Sequence, residues 1–172
     1  MEIYLIRHTT PKVDKGVCYG HTDLDIASTF EEEAERILLE LPSTEEFTIY
    51  SSPLQRCTKL AKKINANFKI DPRLMELNFG NWENLKWDVI PKDELDPWMQ
   101  DFVNVKVPGG ESYIDLSNRV RSFFDELYST SHQKAIIITH AGPMRAILSS
   151  LQQIALKDSF SIKINYGDVI KI

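Results

Sequence analysis

Only two cysteines occur in the 172 residues, Cys18 and Cys57, so no disulfide framework of the kind that staples small secreted folds is available, although a single bridge stays open. Neither end carries a charged leader, a lipidation signal or an apolar run long enough to span a bilayer, and the expectation is a reduced, cytoplasmic protein. Internal repeats and low-complexity tracts are also absent, which sets repeat architectures aside. Positive charge is in short supply: 20 Lys and Arg stand against 25 Asp and Glu, a formal charge of −5, which argues against nucleic acid or an anionic membrane as partner. An anionic substrate would need its cations concentrated at one place. Finally, no H-E-x-x-H and no paired Cys or His spacing is present, so nothing in the chain announces a metal site.

What is present is a repeated arrangement of strand ends. The length suits one domain with a real core. Glu2 to Ile6 reads as a short buried strand that ends on Arg7-His8-Thr9-Thr10-Pro11. Phe47 to Tyr50 is a second apolar strand, followed by Ser51-Ser52-Pro53 and a helix whose first turn carries Arg56. Ala135 to Thr139, the most apolar run, is followed by His140-Ala141-Gly142-Pro143 and another helix. In both later stretches Pro is expected at the first helical position, and a Ser can cap the helix after the second strand. Each strand thus delivers a guanidinium or an imidazole to one sheet edge, where ligands of open α/β sheets bind.

The rest of the chain supplies the layers. Phe30, Ala34, Ile37, Leu38 and Leu41 share one helix face, and the neighbouring Glu31, Glu32, Glu33 and Glu35 read as its solvated side. Leu54, Cys57, Leu60, Ala61 and Ile64 form a second apolar stripe, which makes Cys57 a core residue; Leu116, Val120, Phe123, Phe124 and Leu127 form a third. Lys69 to Asp71 is expected as a short edge strand. Phe160, Ile162 and Ile164 alternate as a strand does, with Tyr166-Gly167-Asp168 turning into a closing hairpin with Val169 to Ile172. Residues 81–110 hold Trp82, Trp87 and Trp98 with several Pro and Gly, and read either as a lid over a site or as an irregular insertion covering the core. The sum is one domain over residues 1–172: a three-layer α/β/α sandwich with a central, mostly parallel sheet and an antiparallel C-terminal edge.

Arg7, Arg56, His8 and His140 together suit one chemistry. Two arginines recognise a dianionic phosphate, helped by backbone N–H groups at the start of the helix after His140. A neutral imidazole among them is a competent nucleophile toward phosphorus, because the arginines disfavour its protonation. The second imidazole can donate to the transferring group, and Glu76 is the natural acid for the departing alkoxide. The rival reading puts a metal on His8 and His140 with Asp14 or Glu76, against which the Arg7 charge would act. His21 reads as a loop hydrogen-bonding residue or a substrate contact, and His132 as a surface residue.

The order Arg7-His8-Thr9, Ser51-Ser52-Pro53-Leu54-Gln55-Arg56, Glu76 to Glu83, Pro108-Gly109-Gly110-Glu111-Ser112 and Thr139-His140-Ala141-Gly142 resembles the histidine phosphatase superfamily, also called phosphoglycerate mutase-like. The resemblance runs through nearly the whole chain. It implies a phosphohistidine on His8, a phosphate pocket of Arg7, Arg56 and His140, Glu76 as proton donor, and no metal or other cofactor. The Arg-His-Thr start and Cys18-Tyr19-Gly20-His21-Thr22-Asp23 look most like the α-ribazole phosphatase branch, which removes the 5′-phosphate of a nucleotide-loop precursor in cobalamin assembly. Thr9, Tyr19, Gly20 and Ala141 join the expected substrate contacts. Thr9 stands where Gly is usual, Pro11 where Thr is usual, and Asp14 where an Asn usually helps hold phosphate, so Asp14 is left out of the binding set.

The expected activity is metal-independent hydrolysis of a small-molecule phosphomonoester, α-ribazole 5′-phosphate foremost, with the tryptophans of residues 81–110 suited to a ring-bearing leaving group. A mutase is disfavoured because the true mutases resembled here carry longer insertions over the site. The alternatives are a broad metabolite phosphatase, a phosphatase of phosphorylated protein side chains, and a phosphate-binding regulatory module that does no chemistry; a homodimer is allowed.

Overall fold

A computed structural model describes all of residues 1–172. Ten regular elements follow one another: β1 (Glu2–Arg7), α1 (Phe30–Glu40), β2 (Thr48–Ser51), α2 (Gln55–Ile64), β3 (Lys69–Ile70), α3 (Lys92–Gln100), α4 (Tyr113–Ser129), β4 (Lys134–Thr139), α5 (Ala141–Leu151) and β5 (Val169–Lys171). They make a five-stranded sheet of order β3-β2-β4-β1-β5, parallel through its first four strands and closed by antiparallel β5.

The side-chain period of a strand sorts the sheet's residues onto two faces. Ile3, Leu5, Ala135 and Ile137 pack under α4 and α5, whereas Ile6, Ile49, Ile136 and Ile138 pack under α1 and α2. Central β4 is buried on both sides, which is why Ala135 to Ile138 read as one continuous apolar run. A mostly parallel sheet between two helical layers is therefore the architecture, as the sequence implies. Helix α4 begins on a capping box in which Ser112 Oγ accepts from the Asp115 N–H at 3.3 Å and the Ser112 N–H donates to Asp115 Oδ2 at 3.0 Å.

Residues 81–110 are tied in at their base and packed on the core. Gly80 has φ +46°, and a Cβ there would lie 2.3 Å from the Pro108 carbonyl oxygen, so only glycine lets the start of the segment meet its end. Trp82, Ile90, Trp98 and Val107 are buried in the cluster beneath α4.

Six local expectations are corrected. Phe160 to Ile164 is not a strand: a 3₁₀ turn covers Leu156–Ser161, and the carbonyls of Ile162 and Ile164 accept from Arg145 Nε and Arg7 Nη1 instead of a neighbouring strand. The edge strand β5 pairs with β1, so the C-terminus closes the sheet without a hairpin. Pro53 precedes Leu54, which is the N-cap of α2, and Pro143 is the third residue of α5; both sites lack a helical N–H to lose. The first α2 N–H, of Gln55, is capped from outside by Asp23 Oδ1 at 2.7 Å, and Ser52 does not cap the helix. Glu33 is not simply solvated, since its Oε2 accepts the Thr10 N–H at 2.9 Å, and half-buried His132 is hydrogen-bonded to Thr48 rather than free on the surface.

Candidate active site

Parallel pairing brings the two imidazoles together. Arg7 of β1 lies opposite Thr139 of β4, so the next residues, His8 and His140, leave the sheet side by side with ring centroids 4.9 Å apart. The His8 N–H donates to the Thr139 carbonyl at 3.0 Å, and the Ser52 N–H donates to Ile138 at 3.0 Å, which levels the ends of β1, β4 and β2.

His8 is buried, with Nδ1 2.7 Å from the Thr9 carbonyl. A carbonyl only accepts, so the proton sits on Nδ1 and Nε2 keeps its lone pair. Burial first, and then the Arg56 and Arg7 charges, hold its pKa well below the usual histidine value, while the Thr9 carbonyl acts in the opposite sense. His140 is likewise held neutral by burial, with His8 and Arg56 adding to the effect. Its Nε2 lies 2.8 Å from Ser52 Oγ, and Cys57 Sγ approaches the same nitrogen at 3.5 Å. Both cysteines are free and buried, and burial pushes the thiols of Cys18 and Cys57 up to about 12.

Arg56 is fully buried, with Nη1 donating to the Thr22 carbonyl at 2.8 Å and Nη2 to Gly20 at 2.6 Å. Arg7 Nη1 donates to Ile164 at 2.8 Å, and its guanidinium stacks 3.8 Å over the Tyr166 ring. Four polar atoms around His8 are buried without a partner: Arg7 Nε, Arg56 Nε, His140 Nδ1 and Thr9 Oγ1. Interiors rarely leave such groups unpaired. A phosphoryl group, with its many acceptor lone pairs, is the kind of partner such donors need.

Glu76 faces the same place from the start of the segment that follows β3. Its carboxylate accepts the Gly142 N–H at 3.2 Å on each oxygen and the Leu77 N–H at 2.9 Å. The N–H at the start of α5 expected to reach a phosphate is therefore spent on the acid, which the helix N-terminus steadies. A cleft of about 240 Å³ opens over His8 and Glu76, lined by Arg7, Tyr19, Phe79, Trp87, Tyr113, Ala141, Gly142, Arg145 and Phe160 among others. Arg56, His140, Thr9 and Gly20 are not among its lining residues, and Gly20 meets Arg56 through its carbonyl. Asp14 is exposed and lines a different surface, and half-buried His21 stands outside the cleft. A larger groove of about 380 Å³ between α4 and α5 contains none of these groups. No set of three or more His, Cys, Asp or Glu residues is arranged to hold a metal ion.

Three residues of the site escape a reading of the sequence. Tyr166 underlies Arg7 and its hydroxyl meets that of Tyr19 at 2.5 Å, an approach set by β5 pairing with β1. Glu83 accepts from the N–H groups of Gly20, His21 and Thr22 and from the Thr22 hydroxyl, holding the loop on which Arg56 rests. Burial alone would raise its pKa, but these hydrogen bonds outweigh it and the carboxyl is held below its usual value. Arg145, five residues beyond His140, lines the cleft; it stands four residues on from Ala141, the first residue of α5, and that same-face spacing is the signal that would have found it.

Residues 3–172 match the family described as the histidine phosphatase superfamily (branch 1). Among curated proteins, "Putative phosphoserine phosphatase 2" of Hydrogenobacter thermophilus is 29% identical over 99% of this chain and 88% of its own length. Phosphoserine phosphatase 1 of the same organism is 27% identical over 94% of this chain and 81% of its own. The α-ribazole phosphatase of Shigella flexneri superposes with a TM-score of 0.89 at 22% identity, covering 99% of this chain and 89% of that one, a likeness of fold.

Proposed function

The chain belongs to the histidine phosphatase superfamily, and on that premise we propose that it hydrolyses a small-molecule phosphomonoester through a phosphohistidine formed on His8. The observation that carries the reading is the state of His8: Nδ1–H held by the Thr9 carbonyl, Nε2 free, and unpaired buried donors from Arg7, Arg56 and His140 around it.

The chemistry follows from those positions. Nε2 of His8 attacks phosphorus in line, the phosphoryl oxygens are stabilised by Arg7, Arg56 and His140, and Glu76 protonates the leaving oxygen. Charge that builds on the phosphoryl group meets donors already fixed by the Gly20, Thr22 and Ile164 carbonyls, so little reorganisation is needed. The alcohol departs, Glu76 is left as a carboxylate, and it then takes a proton from the water that cleaves the phosphorus–nitrogen bond. Phosphate leaves and His8 is restored.

Two esters have support. The ring-bearing ester expected from the sequence, α-ribazole 5′-phosphate, is supported by the rings of Tyr19, Phe79, Trp87, Tyr113 and Phe160 in its lining. Phosphoserine is the second, supported by the names of the sequence relatives and by the Arg145 charge in the wall. Phosphate release from both, and from sugar and nucleotide monoesters, is measured with excess chelator and with His8→Ala. Chelator-insensitive release that the substitution abolishes supports the reading; no release from any ester by the wild-type protein sinks it.

A further inference from the structure

The geometry points to Arg145 as the binding point for a carboxylate on the leaving group, which makes phosphate esters of small hydroxy acids or amino acids the preferred substrates. This rests on the phosphatase reading above and narrows it.

Five of the seven arginines are buried or half-buried. Arg73 is paired with Asp71 and Glu126, and Arg119 with Glu111. Arg7, Arg56 and Arg145 have no carboxylate within ion-pair distance, in a chain where acids outnumber bases. Arg7 and Arg56 are accounted for by the phosphoryl group, because each keeps a buried, unpartnered Nε and the charge of each acts on His8. Arg145 has no such buried orphan and lines the cleft together with Glu76 and Tyr113. Glu76 marks the side from which the leaving oxygen departs, so Arg145 belongs to the leaving group.

Its side chain is already set for that task. Nε donates to the Ile162 carbonyl at 3.1 Å, and the Phe160 ring lies 5.0 Å from Cζ, while Nη1 and Nη2 donate to no protein atom. The Glu76 carboxylate is held by Gly142 and Leu77 and does not reach it. Burial disfavours the Arg145 charge and lowers its pKa, with Glu76 acting in the opposite sense. An incoming carboxylate would supply the missing counter-charge and accept from both free nitrogens at once. A neutral ring of the α-ribazole type would cover the aromatic wall but leave this cation unpaired and desolvated.

Phosphoserine and phosphoethanolamine differ only in a carboxylate and make the test. kcat/KM for the pair is measured with wild type, Arg145→Gln and Arg145→Lys, with thermal melting as the check on folding. The expected result is a wild-type preference for phosphoserine of about 10- to 100-fold. Arg145→Gln then loses at least about tenfold more on phosphoserine than on phosphoethanolamine, mostly in KM, and Arg145→Lys recovers part of the difference. Equal rates for the two esters with wild type overturn the proposal even if neither variant folds. Equal losses on both esters in Arg145→Gln also overturn it, leaving Arg145 as an anchor for Ile162. Release from α-ribazole 5′-phosphate far exceeding both esters overturns the carboxylate and keeps the phosphatase, whereas no release from any ester overturns both.

Discussion

The Gly142 N–H lies 3.2 Å from each carboxylate oxygen of Glu76, and a Cβ on Gly142 would come within 2.1 Å of Glu76 Oε1. The Glu76 carboxylate is thus placed by the absence of a side chain two residues beyond His140. Gly142→Ala is expected to push the carboxylate off its seat and slow alkyl esters by on the order of 10²-fold, as Glu76→Gln should by loss of the proton. Both variants should spare the first-turnover burst of 4-nitrophenolate, whose departure needs no proton, while steady-state turnover still falls because Glu76 also activates the water. First-turnover rates compared across esters of graded leaving-group pKa check this, and equal losses on all of them would show that Glu76 is not the acid.

Replacing His8 with Ala should remove turnover while leaving the donors of Arg7, Arg56 and His140 in place. Wild type quenched in alkali within the first turnover is expected to carry phosphate in an acid-labile, alkali-stable bond on one residue. Phosphate retained by the His8→Ala protein after the same quench would move the nucleophile elsewhere.

Glu83 stands outside the cleft, yet its loss should be felt inside it. Glu83→Ala leaves the N–H groups of Gly20, His21 and Thr22 without their acceptor, and is expected to destabilise the fold by about 3 kcal/mol. The Gly20 and Thr22 carbonyls that hold Arg56 would shift with the loop, raising the inhibition constant for inorganic phosphate. Urea unfolding and phosphate inhibition measure the two effects; a change in neither would make Glu83 a bystander.

Acid should loosen the protein before it damages its surface. Both active-site imidazoles have folded pKa values lowered well below the usual one by burial, His8 further by Arg56 and Arg7, and His140 further by His8 and the arginines. Below about pH 6.5 the unfolded chain takes up protons on these residues and the folded chain does not. Stability contributed by the two sites is therefore complete above that pH and lost as pH falls toward the folded values. The thermal midpoint is expected to drop between pH 7.5 and 5.5, and to drop less in His8→Ala; parallel curves for the two proteins would contradict the shared origin.

Much of the candidate site was legible because it sits where regular structure stops. Arg7 ends β1, His8 and His140 follow strands whose apolar runs mark their ends, and Arg56 occupies the first turn of a helix with a clear stripe. The rest depended on contacts that no local pattern encodes. Phe160, Ile162 and Ile164 alternate as strand residues do, but three residues of period two do not settle where their carbonyls go, and two arginine side chains took them. Glu33 reads like its glutamate neighbours until the Thr10 N–H arrives from 23 residues away. Tyr166 and Glu83 matter through partners more than 60 residues distant in the chain, at Tyr19, Gly20 and His21.

The pairing of Ile6 with Ile138 also governs when the enzyme can first act. The proposed nucleophile is synthesised well before β4, the strand that brings His140 to it. Until β4 slots between β1 and β2, His8 has no neutral partner, no buried arginine beside it and no Glu76 seated on α5. A nascent or partly folded chain therefore carries no reactive imidazole to be phosphorylated out of place, and on refolding activity should return at the rate of this long-range closure rather than at the rate of helix formation.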